Sequence, residues 1–222
     1  MKEKAIVSWS GGKDSALAVL EAQQDFEIVA LLTTVTEGYD RISVHGVRTA
    51  LLERQAESLK CALEKVVIPR ICSNDEYEAK MRIGLDKYRT AGVLFVVCGD
   101  IFLEDVRQYR EERLFTNGLK GVFPLWGRDT TELAHRFIDL GFQAVLCCID
   151  THSLDQGFAG RLYNREMLAD LPPTVDPCGE NGEFHSFVFD GPNMASRVWC
   201  RVGGRVLRDN RFCYCDLLPE ET

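Results

Sequence analysis

The feature that most constrains this chain is a glycine turn placed directly between a short apolar strand and a strong helix former. The strand begins Ala5-Ile6-Val7, the turn contains Gly11 and Gly12, and residues 16–20 are alanine, leucine and valine. Adjacent glycines permit a positive φ and let the backbone approach a ligand closely. Turn amides and the helix N-terminus then converge on one point, which favours an anion. The unit therefore predicts an α/β fold with a phosphate site at its first turn.

The alternation of strand and helix continues through the first two-thirds of the chain, which predicts βαβ units in a doubly wound parallel sheet. The predicted strands are 5–9, 28–34, 64–68, 93–98, 121–123 and 144–149. The predicted helices are 15–23, 46–59, 73–91, 103–117 and 130–140. Two of these helices carry an N-terminal capping pattern, with Ser73 before Glu76 and Asp129 before Glu132.

The composition and the hydrophobic pattern of the sequence change after about residue 150. Glycine and proline become denser, and 184–189 and 198–207 have the character of hairpin strands. The prolines of 172–177 end any helix before them, because each lacks an amide donor. We expect a smaller C-terminal α+β domain, and we place the domains at 1–125 and 126–222.

The glycine turn reads Ser10-Gly11-Gly12-Lys13-Asp14-Ser15, and it is neither a Walker A motif nor a Rossmann fingerprint. We predict that a nucleotide binds to Ser8 and to every residue of this string. Its hydroxyls would donate to phosphate oxygens, Lys13 would supply a positive charge, and Asp14 would hold Mg²⁺ or orient the loop. The alternative is a glycine turn with a serine helix cap.

The string resembles the SGGxDS loop of the N-type ATP pyrophosphatases, which cleave ATP between its α and β phosphates. Further blocks are similar to the diphthine-ammonia ligase-related branch and cover nearly the whole chain: 37–48, 98–101, 124–128 and 178–187. The first block, Phe158-Ala159-Gly160-Arg161 and Asp176-Pro177-Cys178 are closer to its bacterial-type members. The resemblance implies a HUP-type, five-stranded parallel core followed by a C-terminal domain. It also implies that ATP and Mg²⁺ adenylate an acceptor carboxylate, which ammonia then amidates.

Other candidate residues follow predicted strands. Gly99, Asp100 and Glu104 come after the strand 93–98, at the edge where open α/β sheets bind ligands. They would contact the acceptor or a metal, or Asp100 and Glu104 would only cap the next helix. His45 and Arg48 would contact the phosphates or the acceptor carboxylate, or be solvated loop residues.

The segment Glu180-Asn181-Gly182-Glu183-Phe184-His185 combines two carboxylates, a turn signal and an imidazole. Strand alternation would place Glu183 and His185 on one face. The resemblance makes this segment the acceptor-binding part, with Glu183 joining Lys13 and Asp14 as predicted catalytic residues. An acidic surface hairpin is the alternative.

Composition limits the partners. A net charge of −8 disfavours an extended nucleic-acid footprint, which needs clustered basic residues. The sequence shows no signal peptide or membrane anchor, and nine scattered cysteines without a CxxC pair favour a reducing cytoplasm over a disulfide framework. The acceptor is unidentified, ammonia is free or supplied by a partner, and a homodimer is compatible with the sequence. Two rival functions stay open: thiolation of tRNA or a small molecule, and a non-catalytic nucleotide sensor.

Overall fold

A computed structural model describes residues 2–42 and 45–221; Ser43 and Val44, within the 37–48 block, lie outside the described residues. The strands are β1 (Glu3–Ser8), β2 (Phe26–Thr36), β3 (Arg41–Ile42), β4 (Ala62–Ile68), β5 (Phe95–Val97), β6 (Lys120–Val122), β7 (Gln143–Asp150), β8 (Phe184–Asp190), β9 (Cys200–Arg208) and β10 (Phe212–Pro219). The helices are α1 (Lys13–Ala22), α2 (Thr49–Leu59), α3 (Asn74–Thr90), α4 (Glu104–Thr116), α5 (Thr130–Asp139) and α6 (Arg165–Ala169), with a 3₁₀ turn at Gln156–Phe158.

Five parallel strands form the first sheet in the order β4-β2-β1-β5-β6, and the short β3 pairs antiparallel with the end of β2. The chain winds outward from β1 to β4, then crosses to β5 on the other side of β1. Ligands of open α/β sheets bind where the winding reverses, at the carboxyl ends of the strands. The predicted doubly wound, five-stranded parallel sheet is confirmed, and its reversal lies between β1 and β5.

Helices cover both faces of this sheet, because its central strands are apolar on both sides. In β1, Ala5 and Val7 belong to the hydrophobic cluster that contains α1 and α2, whereas Ile6 belongs to the cluster under α3 and α4. All five predicted long helices are present. Both predicted caps are formed, since Ser73 accepts from the Glu76 N–H and Asp129 accepts from the Glu132 N–H. Within the described parts of the chain, no helix has the length and apolar character of a membrane span.

A second sheet is antiparallel, with the order β8-β7-β10-β9. Its strand β7 corrects one expectation: the predicted strand 144–149 exists, but it pairs with β8 and β10 instead of extending the parallel sheet. The cause lies in pairing partners that occur later in the sequence. Strand β8 also contacts α1, so α1 lies between the two sheets.

Candidate active site

The glycine turn has the geometry of an anion cradle. Gly11 has a φ of +76°, and Gly12 is extended and forms the N-cap of α1. The Ser10 hydroxyl accepts from the Gly12 N–H at 3.2 Å and lies 3.1 Å from the Ser15 hydroxyl. Two hydroxyls and a helix N-terminus therefore meet at the end of β1, as a phosphate site requires.

A buried amide side chain holds this turn in place. Gln55 of α2 is fully buried, and its Nε2 donates to the Gly11 carbonyl at 3.0 Å and to the Val188 carbonyl at 2.6 Å. Its Oε1 accepts from the Trp9 indole N–H at 3.1 Å. The Val188 N–H also donates to the Gly11 carbonyl, at 2.9 Å. The turn is thus fixed to both α2 and β8.

Lys13 is buried, at 4% exposure, and its ammonium group is already hydrogen-bonded within the protein. Its ammonium donates to both Asp14 oxygens, at 2.8 and 2.7 Å, and to the Cys178 carbonyl. Burial acts to lower the pKa of Lys13, but the neighbouring Asp14 outweighs it and the pKa is raised. Lys13 therefore stays charged and links the glycine turn to the segment that precedes Glu180.

The loop cavity, which we define as the space above the glycine turn, has a volume of about 430 Å³. It extends from the turn to the carboxyl end of β2 and to α3. Its lining includes nine predicted site residues: Ser8, Ser10, Asp14, Ser15, His45, Gly99, Asp100, Glu180 and His185. Gly99 lies against α1 so closely that a Cβ there would be 2.9 Å from the Asp14 carbonyl carbon. The structure therefore brings these nine predicted residues together around one cavity.

A smaller space, the turn cavity, lies between the glycine turn and residues 178–186 and has a volume of about 130 Å³. The predicted residues Gly12, Lys13 and Gly182 line it. Both cavities share five lining residues: Ser10, Asp14, His45, Glu180 and His185. The two spaces are therefore adjacent compartments of one site.

Glu180 lies at the boundary between these compartments. Its Oε1 accepts from the Ile101 N–H at 2.8 Å, which fixes the carboxyl group at the carboxyl end of β5. Burial raises the pKa of Glu180 to about 7, against the opposing effect of that hydrogen bond. A carboxyl group with this pKa can accept and release a proton near neutrality.

The rings of His45 and His185 stack at a centroid distance of 4.5 Å on the same boundary. The Nδ1 atom of His45 lies 3.3 Å from the Ser186 carbonyl. Burial lowers the pKa of His45 to about 3 and that of His185 to about 4. Both imidazoles are therefore neutral at physiological pH, and each can donate a hydrogen bond to a ligand without adding a charge to the site.

Asp100 is held by a residue that sequence reasoning did not single out. Arg110 of α4 donates from Nε to the Asp100 Oδ1 at 3.0 Å, and its NH1 group lies 3.4 Å from the Ser8 hydroxyl. The other oxygen of Asp100 is buried and has no hydrogen-bond partner among the described residues. Such an oxygen is available to a cation or to a ligand donor.

Five predicted site residues do not line either cavity: Gly11, Arg48, Glu104, Asn181 and Glu183. Arg48 instead donates to Asp216 at 2.7 and 3.1 Å. Glu183 is buried, and its Oε1 accepts from the Asp176 N–H at 3.0 Å and from the Asn181 side chain at 3.1 Å. Its carboxylate therefore closes the turn that carries Glu180, and it does not share a pocket with His185.

Several site residues were missed because their sequence surroundings are ordinary. Gln55 and Arg110 sit inside amphipathic helices, where glutamine and arginine usually face solvent. Ser186 accepts from the Lys13 N–H at 3.1 Å, across 173 residues of chain. Only Ser186 carried a usable signal, because it follows His185 within a block already singled out.

The cysteines of the described structure are mostly buried. All nine are without a disulfide and at least partly buried. Burial raises the pKa of Cys178, which lines the turn cavity, to about 12. Among the described residues no three histidine, cysteine or acidic side chains gather as a metal cluster.

Two known proteins are similar to parts or to the outline of this chain. The chain is 30% identical over 82 residues to an argininosuccinate synthase of Streptococcus mutans, which covers 36% of this chain and 21% of that protein. The chain thus spans about a fifth of that relative. A solved structure described as a predicted subunit of tRNA methyltransferase from Methanocaldococcus jannaschii aligns with a TM-score of 0.45 and 19% identity, over 88% of this chain and all of that one.

Two family matches cover most of the sequence. Residues 3–120 match the diphthamide synthase N-terminal domain, and residues 129–215 match the diphthamide synthase C-terminal domain. Together they include the glycine turn, the reversal of the parallel sheet and the 178–186 segment. The chain therefore belongs to the diphthamide synthase (diphthine-ammonia ligase) family of N-type ATP pyrophosphatases.

Proposed function

We propose that the protein activates the carboxylate of an acceptor by adenylation with ATP and then joins it to ammonia, with release of AMP and pyrophosphate. The observation that supports this most is the pair of adjacent cavities that share Ser10, Asp14, Glu180 and the histidine pair. A nucleotide sensor needs one compartment. A ligase needs a second one beside the α-phosphate.

In this proposal ATP occupies the loop cavity. The triphosphate lies against the glycine turn, whose hydroxyls and helix N-terminus are suited to it. The base lies toward the end of β2, where Leu32, Thr33 and Thr34 line the cavity together with Tyr77 and Met81 of α3. These side chains offer the apolar surface and the few polar groups that an adenine ring uses.

Asp14 and Asp100 fit a magnesium site. Mg²⁺ is usually held by one or two carboxylates together with substrate phosphates. Both side chains line the loop cavity, and the unpartnered oxygen of Asp100 is consistent with a missing cation ligand. When bound, Mg²⁺ would supply positive charge at the phosphates.

The first step joins the acceptor to AMP. An oxygen of the acceptor carboxylate attacks the α-phosphorus, and the bond from the α-phosphorus to the bridging oxygen breaks with its electron pair on pyrophosphate. The residues of the chain contribute mainly by alignment, because Ser10 and Asp14 border both compartments. The neutral histidines add hydrogen-bond donors without attracting a competing anion.

The second step uses Glu180. Ammonia attacks the acyl carbon, the carbon–oxygen bond to AMP breaks, and the nitrogen loses a proton. Glu180 is the base that we assign to this proton, because it borders both cavities and its pKa is raised to about 7. Glu183, expected from the sequence to be catalytic, becomes a positioning residue that closes the turn through Asp176 and Asn181.

Pyrophosphate release from ATP, measured with a panel of carboxylate acceptors, tests the proposal. Asp14→Asn should reduce the rate by at least about 100-fold if it aligns the phosphates and the metal. Asp25→Asn, an exposed residue beyond α1, is the matched control and should keep the wild-type rate. ATP binding without pyrophosphate release under every acceptor would instead identify a sensor.

The thiolation alternative has a separate test. Sulfur transfer needs a thiolate, whereas Cys178, the cysteine that borders the turn cavity, has a raised pKa. Cys178→Ser should therefore keep pyrophosphate release. A reaction that transfers sulfur and fails in this variant would replace the amidation proposal.

The remaining expectations complete the proposal. We infer a boundary between the nucleotide-binding and acceptor-binding parts at residues 125 and 126, and a reducing cytoplasm that suits nine free cysteines. Free ammonia or a separate protein would supply the nitrogen. The acceptor is a carboxylate, and nucleic acid is not expected to bind.

A further inference from the structure

A third cleft lies beside the loop cavity and takes no part in the proposed chemistry. Its volume is about 280 Å³. It lies between the β2–β3 region and the hairpin of β9 and β10, and its described lining residues are Thr36, Tyr39, Arg41, Ile42, Gly46, Arg70, Arg208 and Tyr214. We call it the arginine cleft. Ile42 lines both the arginine cleft and the loop cavity, so the two spaces are neighbours.

The cleft is positively charged in a protein whose net charge is −8. Three of its described lining residues are arginines, and none is a carboxylate. Asp216, just outside the lining, pairs with Arg41 at 2.9 Å and with Arg48 at 2.7 Å. Within the described structure neither Arg70 nor Arg208 pairs with a carboxylate. Asp40 acts on Arg48 and Asp209 on Tyr214 through their charges, so three acidic groups lie beside four guanidinium groups, while the described lining itself holds no carboxylate.

Aromatic rings and a carbonyl hold the three lining guanidinium groups in place. Arg70 lies over the ring of Tyr39 at 4.2 Å and Arg208 over the ring of Tyr214 at 5.5 Å. Arg41 donates to the Gly46 carbonyl at 2.7 Å. Arg70 also donates from one terminal nitrogen to the Tyr39 hydroxyl, and the remaining edge N–H groups of the stacked guanidinium groups match the oxygens of phosphate and carboxylate.

We propose that the arginine cleft binds a phosphate-type anionic group of the acceptor, so that the acceptor is a small molecule with a phosphate or second acidic group in addition to the carboxylate that is activated. That the anion belongs to the acceptor rests on the proposed function; the anion site itself does not. An elongated acceptor would pass over Ile42, with one end among the arginines and its carboxylate beside His45 and His185.

Binding of inorganic phosphate tests the site. The protein is first saturated with α,β-methylene-ATP and Mg²⁺, so that the glycine turn is occupied, and phosphate is then titrated by calorimetry. The double variant Arg70→Gln/Arg208→Gln should weaken phosphate binding by about 100-fold, since each charge-assisted hydrogen bond contributes about tenfold. Arg205→Gln is the matched control, because Arg205 is exposed on the same strand as Arg208 but on its other face.

The outcomes separate clearly. Loss of phosphate binding in the double variant with retention in Arg205→Gln would support the cleft. Equal phosphate binding in the double variant and the wild type, or no binding by the wild type at tens of millimolar phosphate, would overturn it. Because Arg70 and Arg208 are exposed, single variants should fold and can replace the double variant if it does not.

A second experiment tests the link to the acceptor. Pyrophosphate release is measured with pairs of carboxylates that differ only by a phosphate ester. We expect the phosphorylated members to be used selectively, and the double variant to raise KM while kcat changes little. If the parent carboxylates work equally well, the acceptor assignment is wrong although the anion site stands. If no carboxylate releases pyrophosphate while phosphate still binds in the cleft, the proposed function fails instead.

Discussion

Replacing Gln55 with methionine should destabilise the protein and weaken nucleotide binding together. Methionine preserves the length of the side chain and its helix propensity, so packing in α2 changes little. What disappears is the set of three hydrogen bonds that Gln55 makes with Trp9, Gly11 and Val188. The glycine turn would then be fixed to β8 by the backbone bond from Val188 and no longer to α2.

The magnitude follows from those contacts. Each lost hydrogen bond costs about 0.5–1.5 kcal/mol, and a buried donor left unpaired costs about 1–3 kcal/mol. The Trp9 indole N–H loses the partner described above, whereas the Gly11 carbonyl keeps the Val188 N–H at 2.9 Å. The free energy of unfolding should fall by about 3–5 kcal/mol, which corresponds to roughly 6–20 °C in Tm for a chain of this size.

Thermal and urea unfolding would be measured with and without Mg²⁺ and α,β-methylene-ATP. Gln108→Met is the control, because Gln108 is exposed and its side chain donates to Glu112 one turn along α4. A Gln55→Met protein within 0.5 kcal/mol of the wild type, with unchanged nucleotide affinity, would refute the role of this amide.

Three further substitutions probe the same site. The pKa of Glu180 is raised to about 7 in the folded protein, so the wild type loses stability as the pH rises from the pKa of the unfolded state through 7. Glu180→Gln should therefore become the more stable protein over that window. The variant should also lose the rise in the rate of the proposed amidation near pH 7. Gly99→Ala places a Cβ 2.9 Å from the backbone of α1 and should cost about 1–3 kcal/mol and weaken ATP binding, whereas Gly204→Ala, with nothing within 4 Å, should be neutral in urea unfolding. The pKa values of His45 and His185 are lowered to about 3 and 4 in the folded protein, so the free energy of unfolding falls as the pH drops below 6.5. His185→Gln should reduce this loss of stability at acid pH, as measured by chemical denaturation. An unchanged loss would contradict the buried neutral pair.

The fold could be predicted well where the signal is local. Periodicity and capping residues are carried by neighbours in sequence, which is why α3 begins one residue after Ser73 and α5 one residue after Asp129. The assignment of β7 failed because an apolar strand shows that it is buried but not which strand it pairs with.

For the site, too, residues in local motifs could be predicted and residues that depend on tertiary contacts could not. Asp14 and Glu180 could be found because they belong to motifs with a glycine turn beside them. The contact between Glu183 and Asp176 depends on how one turn closes, and a pattern of alternating residues cannot supply that geometry. Gln55 and Arg110 depend on tertiary contacts between distant segments and leave no mark in their own helices.

The hydrophobic cluster around α1 has a consequence for how the molecule responds to its ligands. It joins side chains from Ala5 to Leu217 and includes strands of both sheets, with α1 between them. Because the cluster contains side chains from both sheets, unfolding of either sheet would expose the apolar surface of the other, and we expect a single cooperative unfolding transition. A nucleotide at the start of α1 would then stabilise the 178–186 segment as well, by mass action on the whole molecule.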